Sequence, residues 1–109
     1  MSEFLSAGPA AHIQPGESKL LHTDDDIIAV HNVNGTYYAL SNICPHANGP
    51  LNQGFIENDC ISCPWHGWSF PLSPENPPRD GLLRYHVTVD NGELRITLPP
   101  IIGTKSSFD

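Results

Sequence analysis

The sequence predicts an all-β fold of roughly seven to ten short antiparallel strands, arranged as a small sandwich or barrel. Three observations predict it. Asn-Gly stands twice between runs of β-branched or alternating residues, at Asn34-Gly35 and Asn91-Gly92. That pair suits a tight hairpin, because a type I′ turn needs positive φ at both central positions. Pro and Gly, 11 and 9 of 109 residues, are too frequent for long helices and ordinary for strands joined by turns. No segment carries a sustained 3.6-residue apolar period with caps at both ends.

The elements follow in order. Residues 1–17 are rich in Ala, Gly and Pro, and His12-Ile13-Gln14-Pro15-Gly16-Glu17 reads as a turn. Lys19 to His22 reads as a short strand, and Asp24-Asp25-Asp26 as a solvated turn. Ile27 to Val33 and Thr36 to Leu40 form a hairpin about Asn34-Gly35. Short strands fit Phe55-Ile56, Cys60 to Ser62 and Trp68 to Phe70. The stretch Pro71 to Gly81 has four prolines in eleven residues, so it is expected as a surface loop between Phe70 and Leu82. A second hairpin runs from Leu83 to Val89, turns at Asp90-Asn91-Gly92 and returns along Glu93 to Leu98. Pro99 to Asp109 reads as an extended or mobile tail. The length suits one domain, 1–109, and no internal repeat interrupts it.

Charge and composition exclude several function classes. A net charge of −7 argues against nucleic acid and anionic membranes, which need basic patches, and is compatible with docking on a basic protein surface. No apolar run approaches the length of a membrane helix. Met1-Ser2-Glu3-Phe4 has no basic n-region, so no secretory signal is expected. Three cysteines, an odd number, argue against a disulfide scaffold. A reducing cytoplasm is the expected setting, and there Cys beside His more often means metal.

Two blocks carry that chemistry. Cys44-Pro45-His46 and Cys63-Pro64-Trp65-His66-Gly67-Trp68 each pair a thiol with an imidazole, with sixteen residues between His46 and Cys63. Each follows a predicted strand, where a loop can present both side chains. Structural zinc usually takes ligand pairs two to four residues apart, so a one-residue gap in Cys-x-His is tight for it. An all-Cys cluster needs four thiolates, and the chain has three. A 2Fe–2S centre with two Cys on one iron and two His on the other uses the four residues present.

The pattern Cys-x-His, sixteen residues, Cys-x-x-His resembles the fingerprint of the Rieske-type 2Fe–2S ferredoxins. The flanks agree: Tyr37 to Ile43 resembles the strand entering the first cluster loop, and Pro64 with His66 to Phe70 resembles the second loop and its exit. Pro15-Gly16-Glu17 and Gly92-Glu93-Leu94 also resemble family turns, so the likeness runs from about Phe4 to Leu98. The resemblance implies a Rieske-like domain whose cluster loops span about 43–70 and which binds one cluster. Cys44 and Cys63 would hold the buried iron; His46 and His66 would hold the outer iron and face solvent. Replacing two thiolates by neutral imidazoles makes the cluster less negative, which raises its potential. The charge of a ferric iron also disfavours the remaining imidazole proton, which allows proton coupling.

High-potential members of the family carry a second Cys in each loop; here Ala47-Asn48-Gly49 and Trp65 offer none. They also place Ser and Tyr two and four residues after the second His. Here those places hold Trp68 and Phe70, and Ser69, shifted by one, would face the other way in a strand. Fewer donors to the sulfurs put the expected potential near the low end of the range, about −150 mV rather than about +300 mV.

The chain carries no second cofactor motif, so the resemblance implies a one-electron carrier and not an enzyme. The expected role is the ferredoxin component of a multi-component oxygenase, between an electron-donating reductase and an electron-accepting oxygenase. The runner-up is the small subunit of an assimilatory nitrite reductase, which the length of the 71–81 loop keeps open. A zinc-binding structural module is third. Outside the motif, His12, His22, His31 and His86 are expected at the surface. Cys60, which forms Cys-x-x-Cys with Cys63, is expected as a small core residue rather than a redox dithiol. Trp65 is expected near the exposed tip, and Trp68 either shields the cluster, meets a partner or packs.

Overall fold

A computed structural model describes residues 3–24, 26–45, 49–64, 68–75, 77–78 and 80–101. Nine strands are present among them: β1 (Glu3–Pro9), β2 (Ser18–His22), β3 (Ile27–Val33), β4 (Thr36–Ser41), β5 (Phe55–Glu57), β6 (Cys60–Ser62), β7 (Ser69–Pro71), β8 (Arg84–Asp90) and β9 (Glu93–Ile101). All pair antiparallel. One sheet has the order β1-β9-β8-β4-β3-β2 and the other β5-β6-β7. The all-β expectation holds.

Both Asn-Gly hairpins form as expected. Val33 pairs with Thr36 across Asn34 and Gly35, whose φ angles are 53° and 93°. Asp90 pairs with Glu93 across Asn91 and Gly92, at 52° and 78°. A third such turn joins β5 to β6 at Asn58 and Asp59, at 52° and 60°, with no glycine to announce it; Asn and Asp tolerate this region better than other residues with a Cβ.

The large sheet curls until its edges meet. The Lys19 ammonium on β2 donates to the Ala7 carbonyl on β1 at 3.0 Å. Inside it lie Ala7, Ile13, Ile28, Val30, Ala39, Tyr85, Leu94 and Ile96. The Asn32 amide donates to the Ile13 carbonyl at 2.8 Å, and the Tyr37 hydroxyl to the Ala10 carbonyl at 3.0 Å, fixing the segment after β1 across the opening.

Three expectations need correction. Residues 3–9, in the Ala/Gly/Pro-rich start with no strand expected, are strand β1. Its irregularity is confined to a register shift between Ser6 and Gly8, and Leu5 and Ala7 still turn inward. The strand expected at 68–70 lies at 69–71, and β7 tolerates Pro71 because it is an edge strand. β9 continues to Ile101, so Pro99 and Pro100 belong to a strand and not to the tail. Among the described residues Leu98, opposite Glu3, is the last to pair with β1, and Pro99 and Pro100 lie beyond it. Residues 102–109 lie outside the described residues.

Candidate metal centre

β6 ends at Ser62, next to Cys63, and β4 at Ser41, three residues before Cys44; each cysteine opens a loop, and the two loops close in the same way. The Cys44 N–H donates to the Gly49 carbonyl at 2.9 Å, and the Cys63 N–H to the Trp68 carbonyl at 2.8 Å. In each case the bond spans five residues. Just outside it, Ile43 bridges Pro50 and Ser62 pairs with Ser69, again with equal spacing. Each loop therefore presents a cysteine at its first position and a proline at its second, on a base set by strand pairing. The proline ring fixes φ and needs no hydrogen-bond acceptor, so it stiffens the turn without adding an unsatisfied donor.

Side chains hold the first base. The Asn42 carboxamide accepts the Asn52 N–H at 2.8 Å and donates to the Asn52 carboxamide at 3.0 Å; the Asn42 carbonyl accepts the Leu51 N–H at 2.9 Å. The Ser41 hydroxyl donates to Asp26 at 2.8 Å, and the same carboxylate accepts the Tyr85 hydroxyl at 2.8 Å. Gly54 lets the return segment pass the second loop: a Cβ there would stand 1.8 Å from the Ser62 carbonyl oxygen.

Cys44 and Cys63 are 0% and 2% exposed, and both are free thiols. They share one core with Leu40, Leu51, Ile61, Phe70, Leu72 and Leu82. Two soft donors thus face a common apolar surround at the ends of matched loops. That arrangement fits an iron–sulfur centre, which takes thiolates and benefits from exclusion of water. His46 and His66 lie outside the described residues, as does Trp65. Among the described residues no three Cys, His, Asp or Glu side chains come together as a metal site, so the described part of the donor set is the two thiols.

The flanks of the second loop match the expectation about donors. Phe70 is buried in the same core, whereas Ser69 is exposed and its hydroxyl is 2.9 Å from that of Ser62. Trp68 is 52% exposed, so packing alone does not account for it. Cys60 is half-buried on β6, opposite Pro71, rather than a core residue.

The proline-rich stretch is less superficial than expected. Leu72, Pro77 and Leu82 are buried, and Gly81, at φ 87°, would bring a Cβ to 3.0 Å from the Pro45 ring. The described residues between Leu72 and Leu82 form a strap beside the two loops: Leu72 and Leu82 join the core that holds both thiols, and Gly81 lies against Pro45. Its anchor is Arg84, 1% exposed, which reaches Asp80 with both ends of its guanidinium and also the carbonyls of Pro71 and Leu82. Sequence reasoning missed this ion pair and the Asn42–Asn52 pair. A four-residue spacing brings side chains together only on a helix, so Asp80 and Arg84 gave no signal in a loop and a strand.

His31 also needs correction. It is 4% exposed, not at the surface, and lines a cleft of about 300 Å3 between the two sheets with Asn52, Phe55 and Ile61. Burial lowers its pKa from 6.5 to about 4, and its Nε2 has no hydrogen-bond partner.

The comparisons with known proteins agree with this geometry. A family model described as the Rieske [2Fe-2S] domain matches residues 3–76. The 3-phenylpropionate/cinnamic acid dioxygenase ferredoxin subunit of Escherichia coli K12 is 36% identical over 100 residues, covering 87% of this chain and 93% of its own. A chain in a complex of reduced oxygenase and oxidized ferredoxin in carbazole 1,9a-dioxygenase superposes with a TM-score of 0.74 at 25% identity, covering 94% of this chain and 96% of that one. A Mycobacterium tuberculosis protein assigned as an NADH-dependent nitrite reductase small subunit superposes with a TM-score of 0.77 at 18% identity, covering 91% and 97%. That last likeness shows the fold alone.

Proposed function

Since the chain belongs to the Rieske [2Fe-2S] domain family, we propose that Cys44, His46, Cys63 and His66 hold its cluster and that it serves as the ferredoxin component of a multi-component oxygenase. The cofactor is one Rieske-type 2Fe–2S cluster, and the protein is an electron carrier rather than a catalyst. The observation that carries the ligand assignment is the matched pair of loops, each starting from a buried free cysteine in one shared core. When bound, the cluster takes up and gives back a single electron without making or breaking a bond in a substrate.

The chain's own residues do the rest. Leu51, Ile61, Phe70, Leu72 and Leu82 keep water from the thiolates. Pro45 and Pro64 stiffen the loops that present His46 and His66. Pro45, Trp68, Ser69, Phe70 and Asp80 line a groove of about 350 Å3 beside the loops, which supports a partner contact there. The proposed partners are an electron-donating reductase and an electron-accepting oxygenase, each meeting the protein in a small, transient interface. The chain's acidity favours basic surfaces on both. No helix among the described residues is long and apolar enough to cross a membrane, and the proposed location is the cytoplasm.

The nitrite reductase reading drew its support from the length of the 71–81 loop. That loop is accounted for within the chain, since its strap packs on the first loop and supplies core residues.

Visible absorption and low-temperature EPR, before and after dithionite, test the proposal. A red-brown oxidised protein that becomes EPR-active on reduction, with the low average g of a His-ligated cluster, is the expected result. Loss of that signature in His46→Cys or His66→Cys ties it to the named ligands. A colourless protein with stoichiometric zinc would overturn the electron-carrier role in favour of a structural module.

A further inference from the structure

Besides the buried Leu72, Pro77 and Leu82, the strap over the two loops has an ionic anchor. The Arg84 Nη2 donates to Asp80 Oδ2 at 2.8 Å and Nη1 to Asp80 Oδ1 at 3.1 Å. Nε donates to the Pro71 carbonyl at 2.8 Å, and Nη1 also reaches the Leu82 carbonyl at 3.2 Å. One planar group therefore holds three points: the last residue of β7, which leads out of the Cys63 loop, and both sides of Gly81. Gly81 is the residue that lies against Pro45 of the Cys44 loop. Asp80 in turn lines the groove beside Pro45 and Trp68.

Placing a guanidinium here is expensive. A buried ion pair often contributes no more to folding than apolar residues of the same volume would, so stability alone is a poor reason for it. Its geometry is directional, however, and a planar five-donor fork can fix a carboxylate and two carbonyls at once, which an ammonium cannot.

We propose that Arg84 is a positioning residue for electron transfer: through Asp80 and the Pro71 carbonyl it locks the strap onto both cysteine loops, holding them in one arrangement while the charge at the centre changes. The inference rests on the ligand assignment above. It also gives the Asp80 carboxylate a second role. Paired with Arg84, it adds no net charge beside the loops; unpaired, it opposes addition of an electron.

The test uses the full cluster-bearing chain with Arg84→Lys, Asp80→Asn and Arg84→Met. Arg95→Met is the control, since Arg95 pairs with Asp90 and Glu93 at the β8–β9 turn. Bleaching in excess chelator and the midpoint potential are measured for each. Arg84→Lys keeps the charge but loses the fork, and is expected to bleach about tenfold faster; Arg84→Met, which leaves Asp80 unpaired, about a hundredfold. The potential is expected to rise in Asp80→Asn and fall in Arg84→Met, a sign reversal that loosening alone would not produce. Arg95→Met should match wild type in both. If Arg84→Met does not fold, Arg84→Lys and Asp80→Asn decide the matter. Wild-type bleaching and potential in those two, on a wild-type chain with the Rieske spectrum, would overturn this inference alone. A wild-type chain without that spectrum would overturn the ligand assignment and this inference with it.

Discussion

In the six-stranded sheet the core is Ala, Ile, Val and Leu with one Tyr, and two of its hairpins turn on Asn-Gly. Among the described residues between 43 and 82 no strand exceeds three residues, the core includes two thiols, and side-chain pairs such as Asn42–Asn52 and Arg84–Asp80 hold the connections. The sheet has what an independent fold needs: long pairing and a continuous apolar interior. The loop half has a core of its own but lacks the long pairing, and its two thiols pack there only as small apolar groups. Scaffold and site are thus stabilised by different means, and the cofactor belongs to the second. If the proposed ligands hold the cluster, its binding is expected to add folding free energy to the loop half, while the sheet is expected to stand without it.

The sharpest way to break this contrast is to remove one of the proposed ligands. Cys63→Ser is expected to abolish the visible spectrum entirely. Amide exchange should then separate the halves: β5, β6 and β7 lose protection, while β3, β4, β8 and β9 keep most of theirs. Uniform loss of protection would show that the sheet depends on the cluster. Full retention in β5–β7 would show that the loop half folds unaided.

A smaller effect probes the seam between the halves. His31 is buried in the cleft between the two sheets with its pKa lowered from 6.5 to about 4, because burial disfavours the imidazolium. The unfolded chain therefore binds this proton first as pH falls, and stability rises with pH between those values. The stability contributed by the neutral ring is fully present above pH 6.5 and lost on acidification towards pH 4, by about 3 kcal/mol for a shift of this size. Denaturant unfolding of wild type and His31→Leu across that range reads it. The variant should gain on wild type by about this amount as pH falls, the other histidines being common to both. Parallel curves would mean that His31 stays solvated and the seam is open.

Much of this was legible in the sequence, and unevenly so. The Asn-Gly turns and the alternation beside them located four of the six strands in the large sheet, because local chemistry dictates those turns. β1 escaped because Ala, Gly and Pro mask a strand whose pairing comes entirely from β9, about ninety residues away in sequence. At the site, spacing picked out Cys44 and Cys63 together with His46 and His66; the fold buries the two cysteines in one core, and the two histidines lie outside the described residues. Arg84, Asp80 and the Asn42–Asn52 pair were invisible because each acts through a partner that only the fold brings near. His31 was misjudged for the same reason: nothing local tells a strand residue which sheet will cover it.

The smallest expected effect concerns the edge of the site. Phe70 is buried in the core with both thiols, while the Ser69 hydroxyl pairs with Ser62 on the exposed face. Neither residue offers the centre a hydrogen bond from where it stands. Phe70→Tyr adds one hydroxyl on the buried side. A donor stabilises the more negative, reduced state, so the potential should rise. One hydrogen bond is worth about 1 kcal/mol net, which for one electron is about 40 mV. Ser69→Ala should leave the potential unchanged, because the hydroxyl it removes points away. Potentiometry on both variants separates a directional contact from simple proximity. A rise in Phe70→Tyr with no change in Ser69→Ala means that the buried face of β7 sets the potential. Equal shifts in both would mean that the polarity of the loop half as a whole sets it, and the contrast between a buried, selective face and a solvated one would fail at the strand where it should be strongest.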